Sequence, residues 1–194
     1  MTSTKKPDPV ISLYQSQKTV FSIKDLVLIW QIDNPNYLKT KINRLIKSQK
    51  LYYIRKGFYG LDTNYDKIEL ANKMITPSYS SLYSVLAREG INFQYDSAVY
   101  SASDQSRTIV VEKTKYIYQK IKESALLNPI GINFLGDKTV ASKERAIVDM
   151  LYLSPDFAFD NLSNIDWGLC LQIAKIYSNK RLVAQIKKLK GIYA

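Results

Sequence analysis

An α+β fold in two domains follows from three features of the sequence. Between Phe21 and Leu61, two stretches of helical apolar spacing precede an alternating, β-rich ribbon broken at Lys56-Gly57. A polar run, DTNYDK at 62–67, separates that segment from the rest. Beyond it the period is helical, turns alternating from Ala98, and becomes helical again after Ser142. The expected organisation is a disordered tail at 1–9, a small helical and ribbon domain at 10–62, and a mixed α/β domain at 68–194. The second domain is expected to hold a small, largely antiparallel sheet and C-terminal helices.

Residues 1–9 are polar with two prolines, and Lys5 and Lys6 there are candidates for weak backbone contact with a polyanion. A first helix is expected over Val10–Gln17, with Val10, Leu13 and Tyr14 facing inward. Ser22 caps the next helix and Asp25 supplies the capping-box acid three residues on. Ile23, Leu26, Val27 and Trp30 form its apolar stripe. Asp33-Asn34-Pro35 breaks the chain, with Asn34 a cap and Pro35 preorganised for the first helical position.

The helix from about Pro35 to Ser48 buries Leu38, Ile42, Leu45 and Ile46. At about 100° per residue, Asn36, Thr40, Asn43, Arg44 and Lys47 point the other way. Lys50 to Arg55, the Lys56-Gly57 turn and Phe58 to Leu61 then make a hairpin with Arg55 and Lys56 at its tip. This order is that of a winged helix-turn-helix, whose second helix enters the DNA major groove. Asn36, Tyr37 and Thr40, in the helix's first half, are the candidates for base contact. Asn43 shares that amide-bearing face, since Asn pairs with adenine bidentately. Arg44 and Lys47 can as easily hold phosphate as read bases, where Arg pairs with guanine; Arg55 and Lys56 are candidates for backbone or minor-groove contact, and Lys24, on the preceding helix, for DNA contact. The alternative is a solvated basic face on a module that binds another protein.

In the second domain, helices are expected over Ile68–Met74 and Ser78–Arg88, ended by Gly90. Strands follow at Ala98–Ala102, Arg107–Glu112, Lys115–Ile121 and Ile130–Leu135. Ser142 caps a helix with Ala146, Ile147, Met150 and Leu151 on its apolar side. Two further helices, Ile165–Tyr177 and Lys180–Leu189, meet at Ser178-Asn179.

The formal charge of +11 on 194 residues, with a sequence pI near 9.5, points to a polyanionic partner. Residues 1–62 hold 11 Lys+Arg against 4 Asp+Glu, and 63–194 hold 17 against 13, so the excess is concentrated in the first domain. With no histidine and one cysteine, an internal disulfide and Cys/His zinc sites are excluded. Cys170, between Leu169 and Leu171, reads as a buried structural thiol. The 15 tyrosines suit half-buried strand positions. No run of 18 apolar residues and no signal-peptide core is present, so a cytoplasmic chain without membrane contact is expected. Glu144 and Asp149 project differently from one helix, Glu112-Lys113 has neither a matching upstream acid nor the alternate-residue spacing to a lysine that a nuclease strand needs, and there is no glycine-rich phosphate loop. Neither catalysis nor a cofactor is expected.

Four stretches in order carry a family resemblance: VFSIKDLVLIWQIDNPNYLKTKINRLIKSQKLYYIRKGFYG, ELANKMITPSYSSLYSVLAREGI, VYSASDQSRTIVVEKTKYIYQKI and ASKERAIVDMLYL. Together they resemble the AbiEi-type antitoxins of bacterial abortive-infection toxin–antitoxin pairs. Lys143 stands where that family tends to carry proline. The resemblance implies an N-terminal module that binds operator DNA and represses its own operon. It implies a second domain that neutralises a nucleotidyltransferase-like toxin without a stable complex. A solitary regulator with no toxin partner is the alternative within the same reading.

Overall fold

The structure, a computed structural model, describes residues 8–94 and 96–193. It is a mixed α+β fold with two sheets, and the chain divides between Leu70 and Ala71 into two compact units. The division falls inside a helix rather than in the polar stretch 62–67. There, Tyr65 is buried and stacks on Tyr52 at 6.5 Å.

The first unit runs α1 (Pro9–Gln15), β1 (Val20–Ser22), α2 (Ile23–Trp30), α3 (Pro35–Lys47), β2 (Tyr52–Arg55) and β3 (Phe58–Gly60). Its three strands lie in the order β1-β3-β2, all antiparallel, with Phe21 opposite Tyr59 and Tyr53 opposite Tyr59 from the other side. The β1 strand adds a third member to the expected two-stranded ribbon. Three residues are too short for alternation to show. Of the expected tail, residues 1–7, with Lys5 and Lys6, lie outside the described residues. Asp8 and Pro9 are ordered: the Asp8 side chain accepts from Val10 N at 2.8 Å and Pro9 opens α1. Ser22 and Asp25 make the expected capping box on α2. Ile23 is 39% exposed and so leaves the stripe assigned to it. It is the first residue after the cap, where the helix turns out of the sheet.

The core of this unit is built on Leu13, Phe21, Leu26, Trp30, Ile32, Leu38, Ile42, Leu45 and Leu51. Trp30 also donates from Nε1 to Pro9 O at 2.9 Å, tying α1 to α2. The unit is closed by the first turn of α4 (Lys67–Met74). Its Glu69 carboxylate is buried and accepts from Thr19 N, Thr19 Oγ1 and Val20 N at 2.9, 2.6 and 3.2 Å. Amide and hydroxyl donors of this kind make a buried carboxylate tolerable.

The second unit continues with β4 (Ser78–Ser80), α5 (Tyr83–Arg88), β5 (Val99–Ser103), β6 (Arg107–Val111) and β7 (Thr114–Lys120). After these come α6 (Glu123–Leu126), β8 (Ile132–Leu135), β9 (Lys138–Ala141), α7 (Lys143–Leu153), α8 (Trp167–Ile176) and α9 (Lys180–Tyr193). The sheet is larger than expected, six strands in the order β6-β7-β5-β4-β9-β8. It is mixed: β5 pairs with β7 and β4 with β9 in parallel, while the other three pairings are antiparallel. Two strands depart from expectation. The β4 residues Ser-Tyr-Ser stand where a helix was expected to open, and β9 is four residues enclosed between a glycine turn and a helix cap.

The α7 helix is enclosed, every residue from Glu144 to Leu151 being buried. At its middle Arg145 and Asp149, one turn apart and both with side chains 0% exposed, are paired at 3.0 Å. Asp149 also accepts from Tyr79 OH (2.9 Å), Ser81 Oγ (2.8 Å) and Tyr177 OH (2.5 Å). The remaining Arg145 nitrogens donate to Ile130 O and Ala125 O at 2.9 and 2.5 Å. Gly131, at φ +73°, lets this region close: a Cβ there would lie 3.0 Å from both Arg145 Cβ and Ile173 Cδ1.

Burial, then the charge of Asp149, holds the Tyr79 hydroxyl well above its ordinary pKa, and the same two causes act on Tyr177. Burial disfavours the Arg145 charge, but Asp149 and the two tyrosines outweigh it and its pKa is raised. In the unfolded chain these tyrosines ionise near the ordinary value of about 10, whereas in the folded chain they remain protonated. Stability from the two tyrosines is therefore complete below about pH 10 and falls as pH rises above it. Urea unfolding across that range should show this loss. Tyr177→Phe should flatten the alkaline slope while lowering stability at neutral pH, and an unchanged slope would exclude Tyr177 as its source.

Candidate nucleic-acid interface

The position of α3 is set at its start. Asn34 Oδ1 accepts from Asn36 N at 3.0 Å and from Tyr37 N at 3.1 Å, filling two of the amides that a helix N-terminus leaves open. Pro35 occupies the first position, where no amide is needed. Leu38, Ile42 and Leu45 are buried and Ile46 packs half-buried beside them. Truncating one such residue to alanine typically costs about 2–5 kcal/mol, so these three fix which face looks outward.

That outward face holds every α3 residue expected there from the sequence. Asn36, Tyr37, Thr40, Asn43, Arg44 and Lys47 are all exposed, with Tyr37 at 58%. Lys39, outside the expected set, is exposed beside them and flanks Asn43 on the same helical arc. The helix has four cations and no acid. Its remaining cation, Lys41, lies over the Trp30 ring, 4.6 Å from the centroid, and so faces the core edge. Thr40 is less available than expected. Its hydroxyl donates to Asn36 O at 2.9 Å, leaving an acceptor lone pair and a methyl to face outward.

The hairpin is short and anchored. Arg55 pairs in register with Phe58, Lys56 and Gly57 form the tip, and Gly57 adopts φ +86°. Ile23 N donates to Gly57 O at 3.2 Å, which joins the tip to the start of α2. Lys56 is exposed, while Arg55 is half-buried and engaged by neighbours, so the two are unequal candidates. Lys24, on the first turn of α2, is exposed. Tyr53, exposed on β2 and edge-on to Tyr59 at 6.1 Å, is an aromatic to which the strand alternation points. Burial and then Tyr53 raise the Tyr59 pKa.

In the second unit, the acids and the thiol considered for chemistry are enclosed. Asp149 is occupied as described, and Glu144 is buried apart from it, near Asp166 N. Cys170 is buried as its leucine neighbours imply. Burial, then the Glu144 and Asp166 carboxylates, push its thiol up to about 12. Among the described residues, no three Cys, Asp or Glu side chains gather as a metal site requires, and no helix is long and apolar enough to cross a membrane. No protein-family model matches the chain, and no curated protein matches it.

The Asn34 cap is what presents the face. Asn34→Ala should destabilise the first unit by about 0.5–2 kcal/mol, read by urea unfolding, whereas Asn34→Asp should be nearly neutral. A decrease of equal size in both variants would show that the cap does not set α3.

Proposed function

We propose that the first unit is a winged helix-turn-helix that binds double-stranded DNA, with α3 in the major groove and the β2–β3 tip on the phosphate backbone. One observation carries this reading. A 13-residue helix buries one apolar stripe and turns outward amides, a hydroxyl, a tyrosine and cations with no acid among them. Amides read base edges and cations hold phosphates, so the face is chemically matched to duplex DNA. Support also comes from the element order and from the exposed Lys56 at an anchored tip.

On the strength of the four stretches named above, the chain acts as repressor of its own operon and as antitoxin of an abortive-infection pair in the cytoplasm. The toxin partner is nucleotidyltransferase-like and is neutralised without a lasting complex. The chain itself is no enzyme and takes no cofactor in this reading.

Asn43→Ala tests base reading, because its side chain is free of the intrahelical bond that engages Thr40. Affinity for the region upstream of the gene should fall by about 1–3 kcal/mol, with random duplex little affected. Equal decreases on both would leave only a phosphate-holding role.

The hairpin is tested separately. Arg55→Ala with Lys56→Ala should weaken binding to any duplex and reduce the slope of log affinity against log salt by about 0.9 for each phosphate no longer neutralised. An unchanged slope would remove the tip from the interface. Growth of cells carrying the adjacent gene, with and without this chain, separates an antitoxin from a solitary regulator.

A further inference from the structure

The charge of the second unit is unevenly placed. Residues 71–166 hold 10 Lys+Arg against 11 Asp+Glu, whereas residues 167–193 hold six and none. One of the six, Lys175, lies on α8 and the other five on α9. Three of them, Lys175, Lys180 and Lys187, line one groove of about 470 Å³ at the turn between the two helices.

The groove is built by helical spacing. Lys180, Val183, Ala184 and Lys187 fall at i, i+3, i+4 and i+7 on α9, so they share a face. The two lysines are set roughly 10 Å apart along the axis by the helical rise. Val183 and Ala184 make a small apolar floor between them, and Lys175 approaches from the last turn of α8 with Ser178 beside it. On the opposite side Leu182 and Ile186 are buried and hold α9 in place. Its start is fixed by Asn179, which accepts from Leu182 N at 3.2 Å through its side chain and from Val183 N at 3.1 Å through its carbonyl.

Lys175, Lys180 and Lys187 border one concavity, and an anion seated there would be attracted by all three while easing their weak, solvent-screened repulsion. Among the described residues none of the three is paired with a carboxylate, and the acid that does meet an α9 cation is Asp156, 3.9 Å from Arg181 outside the groove. A single carboxylate would engage one or two of the three. A run of adjoining phosphates can engage all of them, with the Ser178 hydroxyl as a further donor. We propose that this groove binds linked phosphate groups, presented either by a free polyphosphate such as a nucleotide or by a nucleic-acid backbone. The proposal does not rest on the reading of α3.

Titration of the full chain with inorganic tripolyphosphate, and separately with a short duplex of random sequence, tests it. Lys175→Ala with Lys187→Ala should lower tripolyphosphate affinity about tenfold, as expected when one or more charge-assisted hydrogen bonds are removed. Lys188→Ala with Lys190→Ala removes the same charge from α9 outside the groove and should change affinity by about twofold or less. If tripolyphosphate does not bind but duplex affinity falls in the groove variant alone, the phosphates come from nucleic acid. If the two double variants behave alike with both probes, the lysines act only as diffuse charge and the groove is no site.

Discussion

Asp149 takes hydrogen bonds from an arginine, two tyrosines and a serine while fully withdrawn from water. Removing two charges from water costs several kcal/mol per ion, and only a complete shell of partners offsets that cost. The partners here arrive from separate places: Tyr79 from β4, Ser81 from just after that strand, Tyr177 from the end of α8, and Arg145 from the same helix. The guanidinium extends the network to the carbonyls of Ala125 and Ile130. The central strand, the enclosed helix, the segment before β8 and the α8–α9 turn must therefore reach their places together. A buried ion pair of this kind is weak evidence for net stability, but it discriminates strongly against arrangements in which any partner is missing.

The first unit is held in a different way. Its core is almost entirely aliphatic and aromatic, and its polar bonds lie at the ends of elements: Asp8 on α1, Ser22 and Asp25 on α2, Asn34 on α3 and Glu69 at the β1 approach. Polar groups at element ends fix direction, and the apolar stripe fixes rotation. Together they determine which α3 side chains meet solvent, so the candidate surface is a by-product of how the core is filled.

This contrast explains what is legible in the sequence. Caps and stripes are local, and Ser22, Asn34, Ser142 and the Leu38–Ile42–Leu45 spacing mark their helices within a few residues of the observed ends. The exposed α3 residues are legible for the same reason. Short strands are not: β1 and β4 have three residues and are defined by partners distant in sequence, and β9, though it follows β8 across a tight turn, has only four. The parallel pairings likewise leave no local trace. Arg145 and Asp149 stand one turn apart in plain view, but nothing nearby says that Tyr79 and Tyr177 will close over them. Thr40 departs from its expected role because a hydroxyl can bond back to its own helix.

Gly131 bears on how this sequence can change over time. Its left-handed backbone strains any side chain, and one there would also crowd Arg145 Cβ and Ile173 Cδ1 at 3.0 Å, whereas Gly136, at φ +61° in the β8–β9 turn, faces open space. At the second glycine only backbone preference opposes replacement, and asparagine satisfies it. At the first, replacement would also press on Arg145 Cβ and Ile173 Cδ1, which must give by a few tenths of an ångström. Two glycines five residues apart are therefore unequally tolerant of replacement: other turn-forming residues fit at Gly136 with little cost, and at Gly131 they meet both backbone strain and close neighbours. Between them, exposed Asn133, Phe134 and Leu135 contribute little to packing and can diverge in step with whatever surrounds that edge.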